Sequence, residues 1–267
     1  MSTNIQAESP ALVTTSEFDS LHSLLTSNQW PEAVPEYLIC SDSNEDKVER
    51  AIGIIELLSL NLSGKKVLDF GCGEGHLAYE VSHKAAFSLG YDIVKSGNLV
   101  WEEGRLTTDW QKVREAGPYD VIVLFDVLDH TQDAVAALEQ LREVCTPDTQ
   151  IYCRLHPWIG PHAAHYYKSI NKAYLHLVFT EDEVRQLGIE PIIMQKVYKP
   201  MWNYDQWFKA AGFSTSNHMM QQIEVPAFFK ENALVRSRLP LSVFENTFPD
   251  FQMSQVFHDF MLKMSPR

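Results

Sequence analysis

Between residues 65 and 155 short apolar runs alternate with stretches whose apolar positions recur at helical spacing. Val67-Leu68-Asp69-Phe70 predicts a buried strand, and Gly71-Cys72-Gly73-Glu74-Gly75 a turn into a helix from His76 to about Lys84. Phe87 to Ile93 predicts a second strand, Leu106 to Thr108 a short third one, and Asp109 to Ala116 a helix closed by Gly117-Pro118. Val121-Ile122-Val123-Leu124-Phe125 is apolar on both faces, as a central parallel strand is. Asp133 caps a helix with Ala134, Leu138, Leu141 and Cys145 on one stripe, Pro147 stops it, and Ile151 to Leu155 forms the fifth strand. This alternation predicts an α/β fold: a doubly wound, mostly parallel sheet with helices on both faces.

The flanks have other rhythms. Residues 1–16 read as a polar tail, followed by a helix from Glu17 to about Asn28 that Trp30-Pro31 and Val34-Pro35 break. Ser43-Asn44-Glu45-Asp46 has the form of a capping box, and Val48, Ala51, Ile52, Ile55 and Leu58 then share a helical face. Beyond His156, helices are expected over Tyr166–Phe179, after the capping box Thr180-Glu181-Asp182-Glu183, and over Tyr204–Ala211. His218–Val225 and Ala233–Leu239 read as an antiparallel strand pair completing the sheet, and the aromatic tail as helical from Met253. The expected division is a tail and helical cap over 1–64, a core over 65–155, an insert and substrate lid over 156–200, a last helix and strands over 201–240, and a C-terminal tail over 241–267.

Composition narrows the function. The 267 residues, 45% of them apolar, suffice for a core without staples. A formal charge of −13 repels phosphate backbones, so general nucleic-acid binding is not expected. Cys40, Cys72, Cys145 and Cys153 form no C-x-x-C pair, Met1 to Pro10 has no apolar signal core, and no run reaches membrane-spanning length; the expected address is the cytoplasm, away from membranes.

The chemistry centres on the glycine turn. Glycines between a strand and a helix let the backbone bend sharply and approach a ligand, and the helix start offers unpaired N–H groups. A tight corner without a ligand is the structural alternative. Asp92, 19 residues beyond Gly73, stands where a doubly wound nucleotide fold keeps its ribose-binding acid. Asp69 precedes the turn, where the ammonium of a bound ligand would lie. The bulky His76 departs from the dinucleotide pattern G-x-G-x-x-G/A, which counts against a dehydrogenase, and no Gly-Lys-Ser/Thr follows to make a phosphate loop.

Val67 to His76 resembles motif I of the class I S-adenosylmethionine-dependent methyltransferases. Gly90-Tyr91-Asp92-Ile93 is similar to the second motif of that family. Tyr119 through Asp126-Val127-Leu128-Asp129-His130 is similar to the fourth-strand segment of its small-molecule branch, which usually has Glu-His where this chain has Asp129-His130. The resemblance covers roughly residues 47–155 and implies a seven-stranded Rossmann-like methyltransferase fold with S-adenosyl-L-methionine as cofactor. It implies cofactor contacts from Asp69, Gly71, Cys72, Gly73, Gly75, His76, Asp92, Ile93, Asp109, Trp110, Phe125 and Asp126, with Asp109 and Trp110 by the adenine. The Asp/Asn-Pro-Pro-Tyr/Phe segment of the DNA amino-methylating branch is missing after Phe125.

Transfer of a methyl group from a sulfonium needs an acceptor held in line and, for a hydroxyl or amine, a base. His130 and His156, each just past a strand end, are the expected catalytic residues. His162 and His165 could share a helix face as metal ligands with His156 or Asp129, but packed or solvated histidines are the preferred reading and no metal is expected. Trp158, Tyr166, Tyr167 and Tyr174 are candidates for a substrate wall, whereas Trp202, Tyr204, Trp207, Phe208, Phe213, Phe228 and Phe229 read as packing. The expected acceptor is a small molecule or a sugar-like group, methylated on O, N or C. Two alternatives remain: a catalytically silent nucleoside-binding regulatory module, and an aminopropyl transferase.

Overall fold

The structure is a computed structural model of the chain and describes residues 16–34, 43–94, 105–155, 160–191, 201–240, 243, 246–248, 251–253 and 255–266. In chain order the elements are α1 (Ser16–Leu25), α2 (Asn44–Leu57), β1 (Lys66–Phe70), α3 (His76–Ser82), β2 (Phe87–Tyr91), β3 (Leu106–Thr107), α4 (Trp110–Ala116), β4 (Val121–Phe125), α5 (Ala134–Arg142) and β5 (Gln150–Leu155). They continue with α6 (Leu175–Val178), α7 (Glu181–Gln186), α8 (Met201–Ala210), β6 (Phe213–Glu224), α9 (Ala227–Glu231), α10 (Ala233–Arg238), β7 (Asn246–Phe248), β8 (Phe251–Met253) and β9 (Gln255–Pro266).

The main sheet has the order β3-β2-β1-β4-β5-β9-β6. The first five strands run parallel, and β9 lies antiparallel between β5 and β6. Chain order reverses beside β1, whose neighbours are β2 and β4. That makes a crevice at the carboxyl ends, where ligands of doubly wound sheets bind.

Successive strand residues face opposite sides, so each strand feeds two cores. Leu68, Phe70, Leu89, Tyr91, Ile122, Leu124, Ile151 and Cys153 pack with Val113 of α4, Leu138 and Leu141 of α5, and Phe208 of α8. Val67, Val121, Val123 and Tyr152 pack on the other side with Ala51, Ile54 and Ile55 of α2, Leu58 just past its end, and Leu77 and Val81 of α3. Helices on both faces explain why β4 lacks a polar face.

A third cluster lies apart from the sheet. Phe18, Leu21 and Leu25 of α1 join Trp30, Tyr174, Phe179, Phe229 and Val235 in one aromatic core. Tyr174 meets Phe229 edge-on at 4.8 Å between ring centroids. The first helix, the insert and the α9–α10 segment therefore share a core. Tyr166 and Tyr174, expected on a substrate wall, are 4% and 0% exposed and belong to it. Trp158 lies outside the described residues.

Three expected elements differ. The helix expected over 166–179 is broken into a 3-10 turn at Tyr166–Lys168 and the short α6. The intervening residues bond to the N-terminal segment instead: Ala173 donates to the Pro31 carbonyl (2.9 Å), the Trp30 indole N–H to the Ala173 carbonyl (2.9 Å), and the N–H groups of Ala33 and Val34 to Asn171 Oδ1. Ala233–Leu239, expected as a strand, is the helix α10, because Asn232 caps it by accepting from the Val235 N–H. The tail beyond Met253, expected as a helix, is the strand β9, because β5 and β6 each offer it an edge to pair with.

An ion pair pins the aromatic layer. Arg238 donates two bonds of 3.1 Å to the Glu183 carboxylate and one of 2.8 Å to Glu17, joining the end of α10 to α7 and α1. Burial pushes the Glu183 carboxyl up, but the Thr180 N–H and the Arg238 guanidinium outweigh it and hold it below the usual range. A depressed carboxyl stabilises the fold above its unfolded value and loses that contribution as pH falls through the folded one. Arg238→Ala is expected to cost about 1–2 kcal/mol in denaturant unfolding at pH 7, with the difference shrinking below the ordinary glutamate range.

Candidate functional site

The glycine turn leaves β1 at the carboxyl edge. Gly71, Gly73 and Gly75 have φ of 76°, 54° and 88°, in the left-handed region that L side chains rarely adopt. A Cβ on Gly71 would strike Val127 Cγ2 at 2.5 Å, so the turn packs against the loop after β4. A Cβ on Gly73 would meet no heavy atom within 4 Å, so the main chain there faces open space. Gly71 and Cys72 donate to the Tyr91 carbonyl at 2.7 and 3.0 Å, tying the turn to the end of β2.

Asp92, just past β2, completes the tie. Its Oδ2 accepts from the Gly73 N–H at 2.8 Å, and its Oδ1 accepts from the Val94 N–H at 3.1 Å. Each carboxylate oxygen has a further lone pair for a ligand hydroxyl. The next residue, Ile93, is 82% exposed. Beside them Phe70, Tyr91 and Trp110 make an aromatic shelf, with Trp110 edge-on to both partners at 6.1 and 5.2 Å. The Trp110 indole N–H donates to Glu143, and Asp109 caps α4 by accepting from the Gln111 N–H.

Asp69 lies beneath the turn. It belongs to β1, is 3% exposed, and its Oδ2 accepts from the Ala78 N–H of α3 at 3.1 Å. Burial raises its pKa to about 7, against the lowering effect of the Ala78 bond, and the nearby Asp92 charge adds to the rise. Burial and the same two carboxylates push the Cys72 thiol far above its ordinary range, so it is not a thiolate.

The other expected site residues are drawn towards α2. The His76 Nε2 pairs with Asn44 Oδ1 at 2.9 Å, Lys47 Nζ lies 2.9 Å from both Glu74 oxygens, and Arg50 donates to Asp126 at 3.0 Å. Asn44, Lys47 and Arg50 are three residues apart on one stripe of α2, so its first turns are fastened over the glycine turn and the end of β4. Asp126, at φ 58°, also accepts from Arg154 of β5 at 2.7 Å, and that guanidinium stacks 4.7 Å over the Phe125 ring. His76, 8% exposed, is held below the usual histidine range by burial, which outweighs the opposing charge of Glu74. The polar stripe of α2 and Arg154 escaped the sequence reading; polar residues at i, i+3 and i+6 beside an apolar stripe were the available signal.

Past β4, the 3-10 turn Leu128–His130 carries Asp129 and His130. Asp129 is fully buried, with Oδ2 3.8 Å from His130 Nε2. The His165 ring lies 5.2 Å from that of His130. His162 and His165 do not share a helix face: His165 has φ 57°, and the His162 ring packs against Tyr167. His156 lies outside the described residues. The three described cysteines, Cys72, Cys145 and Cys153, are free thiols. Among the described residues no helix is long and apolar enough to cross a membrane.

A mostly parallel sheet with its bent glycine turn at the switch point is a Rossmann-like architecture. The family model described as a methyltransferase domain matches residues 43–215, and the chain belongs to that family, in its S-adenosylmethionine-dependent, Rossmann-like class. The ubiquinone biosynthesis O-methyltransferase of Paraburkholderia xenovorans is 29% identical over 103 residues, covering 34% of this chain and 44% of that protein. Its counterpart from Salmonella paratyphi A is 29% identical over 113 residues, covering 38% and 46%. The chain thus spans less than half the length of these curated relatives. Among solved structures, a cyclopropane-fatty-acyl-phospholipid synthase-like protein from Lactobacillus casei is similar at 13% identity, covering 92% of this chain and 99% of that one with a TM-score of 0.48.

The raised Asp69 pKa makes a prediction. Unfolded, the carboxyl titrates near 3.8; folded, near 7. Its destabilising effect is therefore absent below pH 4, grows between those values and is complete above pH 7. Asp69→Asn is expected to unfold like the parent at pH 4 and to be more stable at pH 8 by on the order of 2–4 kcal/mol, read by urea denaturation.

Proposed function

We propose that this protein transfers the methyl group of S-adenosyl-L-methionine to a hydroxyl oxygen of a small molecule. One observation carries the reading: in a chain of the methyltransferase family, the main chain at Gly73 faces open space while its N–H is held by Asp92 at the end of the neighbouring strand. These groups fit the cofactor. The bent turn suits its amino acid end, the Asp92 oxygens its two ribose hydroxyls, and the exposed Ile93 with the Trp110 shelf its adenine. Asp69, ionised above about pH 7, would face the cofactor ammonium from beneath the turn. Asp126, Glu74 and His76 act at one remove, by fastening α2 over the site.

The sulfonium supplies the leaving group, so this chain's residues position, exclude water and remove a proton. The acceptor oxygen attacks the methyl carbon as the carbon–sulfur bond breaks, and the electron pair stays on sulfur. The acceptor proton leaves towards the Asp129–His130–His165 cluster at the same sheet edge, with His130 as the catalytic residue. A base serves a hydroxyl acceptor, and oxygen is favoured because the matched relatives carry the name O-methyltransferase. The aromatic core of α1, the insert and α9–α10 forms the acceptor side of the lid. The acidic surface and free thiols fit a small-molecule enzyme of the cytoplasm.

Calorimetric titration with S-adenosylhomocysteine tests the cofactor site. The parent is expected to bind in the micromolar range, and Asp92→Ala to lose about tenfold or more, as expected for two lost hydrogen bonds to a charged group. A parent that shows no binding at 1 mM ligand would overturn the reading. With an acceptor found by tritiated-methyl labelling of small-molecule extracts, His130→Ala is expected to lower kcat by about 10²-fold while leaving S-adenosylhomocysteine affinity unchanged.

A further inference from the structure

Three metal-ligating side chains from two separate segments converge at the sheet edge. Asp129 and His130 come from the turn after β4, and His165 from the insert after β5. One carboxylate oxygen and one ring nitrogen from each histidine lie within 4.8 Å of one another. The His130 and His165 rings cross at 77° with centroids 5.2 Å apart, edge to face rather than stacked. The left-handed backbone at His165, whose N–H donates to the His162 carbonyl at 2.9 Å, turns the chain back at that position.

The spacing leaves room for an ion between the three groups. At 3.8 Å the His130 nitrogen and Asp129 oxygen are beyond hydrogen-bond distance. Donors bound at about 2.0–2.2 Å from a common ion stand roughly 3–4 Å apart, so the cluster needs to contract by only about 1 Å. Two imidazoles and one carboxylate form the set that binds borderline first-row ions, whereas magnesium prefers oxygen and water. We propose that Asp129, His130 and His165 bind one divalent transition-metal ion, of the zinc, manganese or ferrous class, with its remaining positions open to water or an acceptor oxygen.

The site adjoins the glycine turn: Val127, two residues before Asp129, is the side chain that a Cβ on Gly71 would strike. This deepens the methyl-transfer reading and rests on it for the role of the ion, though the ion site itself stands on geometry. A divalent charge there draws the proton from an acceptor hydroxyl, which passes to solvent. The oxygen lone pair then forms the bond to the methyl carbon, and the carbon–sulfur pair remains on sulfur. His130 in that case serves as a ligand.

The test uses the full chain without an affinity tag, stripped by chelator and dialysed. Zn²⁺ is titrated by calorimetry and Co²⁺ by visible absorption, with S-adenosylhomocysteine titrated in parallel. One equivalent per chain is expected, with a Co²⁺ d–d band. His165→Ala and Asp129→Asn are each expected to weaken binding at least about tenfold. His83→Ala, on the exposed end of α3, should match the parent, and S-adenosylhomocysteine affinity should be kept in every folded variant. If Asp129→Asn fails to fold, His165→Ala and His130→Ala decide. Parent-like metal affinity in His165→Ala, or no Zn²⁺ or Co²⁺ binding by a parent that binds S-adenosylhomocysteine, overturns the ion site. Metal binding lost in His165→Ala, in a chain that never binds S-adenosylhomocysteine, supports the ion site and overturns the cofactor reading instead.

Discussion

The hydrogen bond of 2.8 Å from the Gly73 N–H to Asp92 joins the two strands on which the site is built. A glycine turn alone is a flexible corner, because glycine is restricted least by its own sterics. Here the Tyr91 carbonyl takes the N–H groups of Gly71 and Cys72, and Asp92 takes the next one. Three consecutive backbone donors are thereby spoken for at the end of β2. The turn holds one shape, and the main chain at Gly73 stays turned to open space. The same bond fixes the Asp92 carboxylate, so the turn and the acid on the neighbouring strand are positioned by one interaction.

Around this tie the fold places charges in layers. Asp69 sits buried under the helix start, where burial, with the nearby Asp92 charge, raises its pKa to about 7. Asp126 is met by two guanidiniums, from α2 and β5. The stripe of Asn44, Lys47 and Arg50 then closes the front of the site with three partners from two segments, the glycine corner and the end of β4. Each such pair is weak by itself when exposed, but three on one rigid helix, whose other face is packed on the sheet, act together.

Much of this was legible in the residues. The strand-turn-helix of Val67 to His76, the acid at Asp92 and the apolar run of β4 each carry a local pattern that needs no distant partner to be read. The capping box at Thr180 and the cap at Ser43 formed as their residue types require. What stayed hidden depended on partners far away in sequence. Residues 171–173 bond to 30–34, more than 130 positions earlier, and so never complete a helix. The last strand is set by edges that β5 and β6 present, and a pairing partner has no signature within the strand itself.

The sequence by itself determined the αβ alternation, the glycine corner with its neighbouring acid, and the division into two sheet faces. Those follow from backbone sterics and from periodicity, which act over a few residues. Tertiary structure alone decided that α2 reaches over the site, that Tyr166 and Tyr174 belong to a core, and that His165 meets Asp129 and His130. Each of these is a coincidence in space of residues far apart in the chain, and only the packed fold brings such groups within reach of one another.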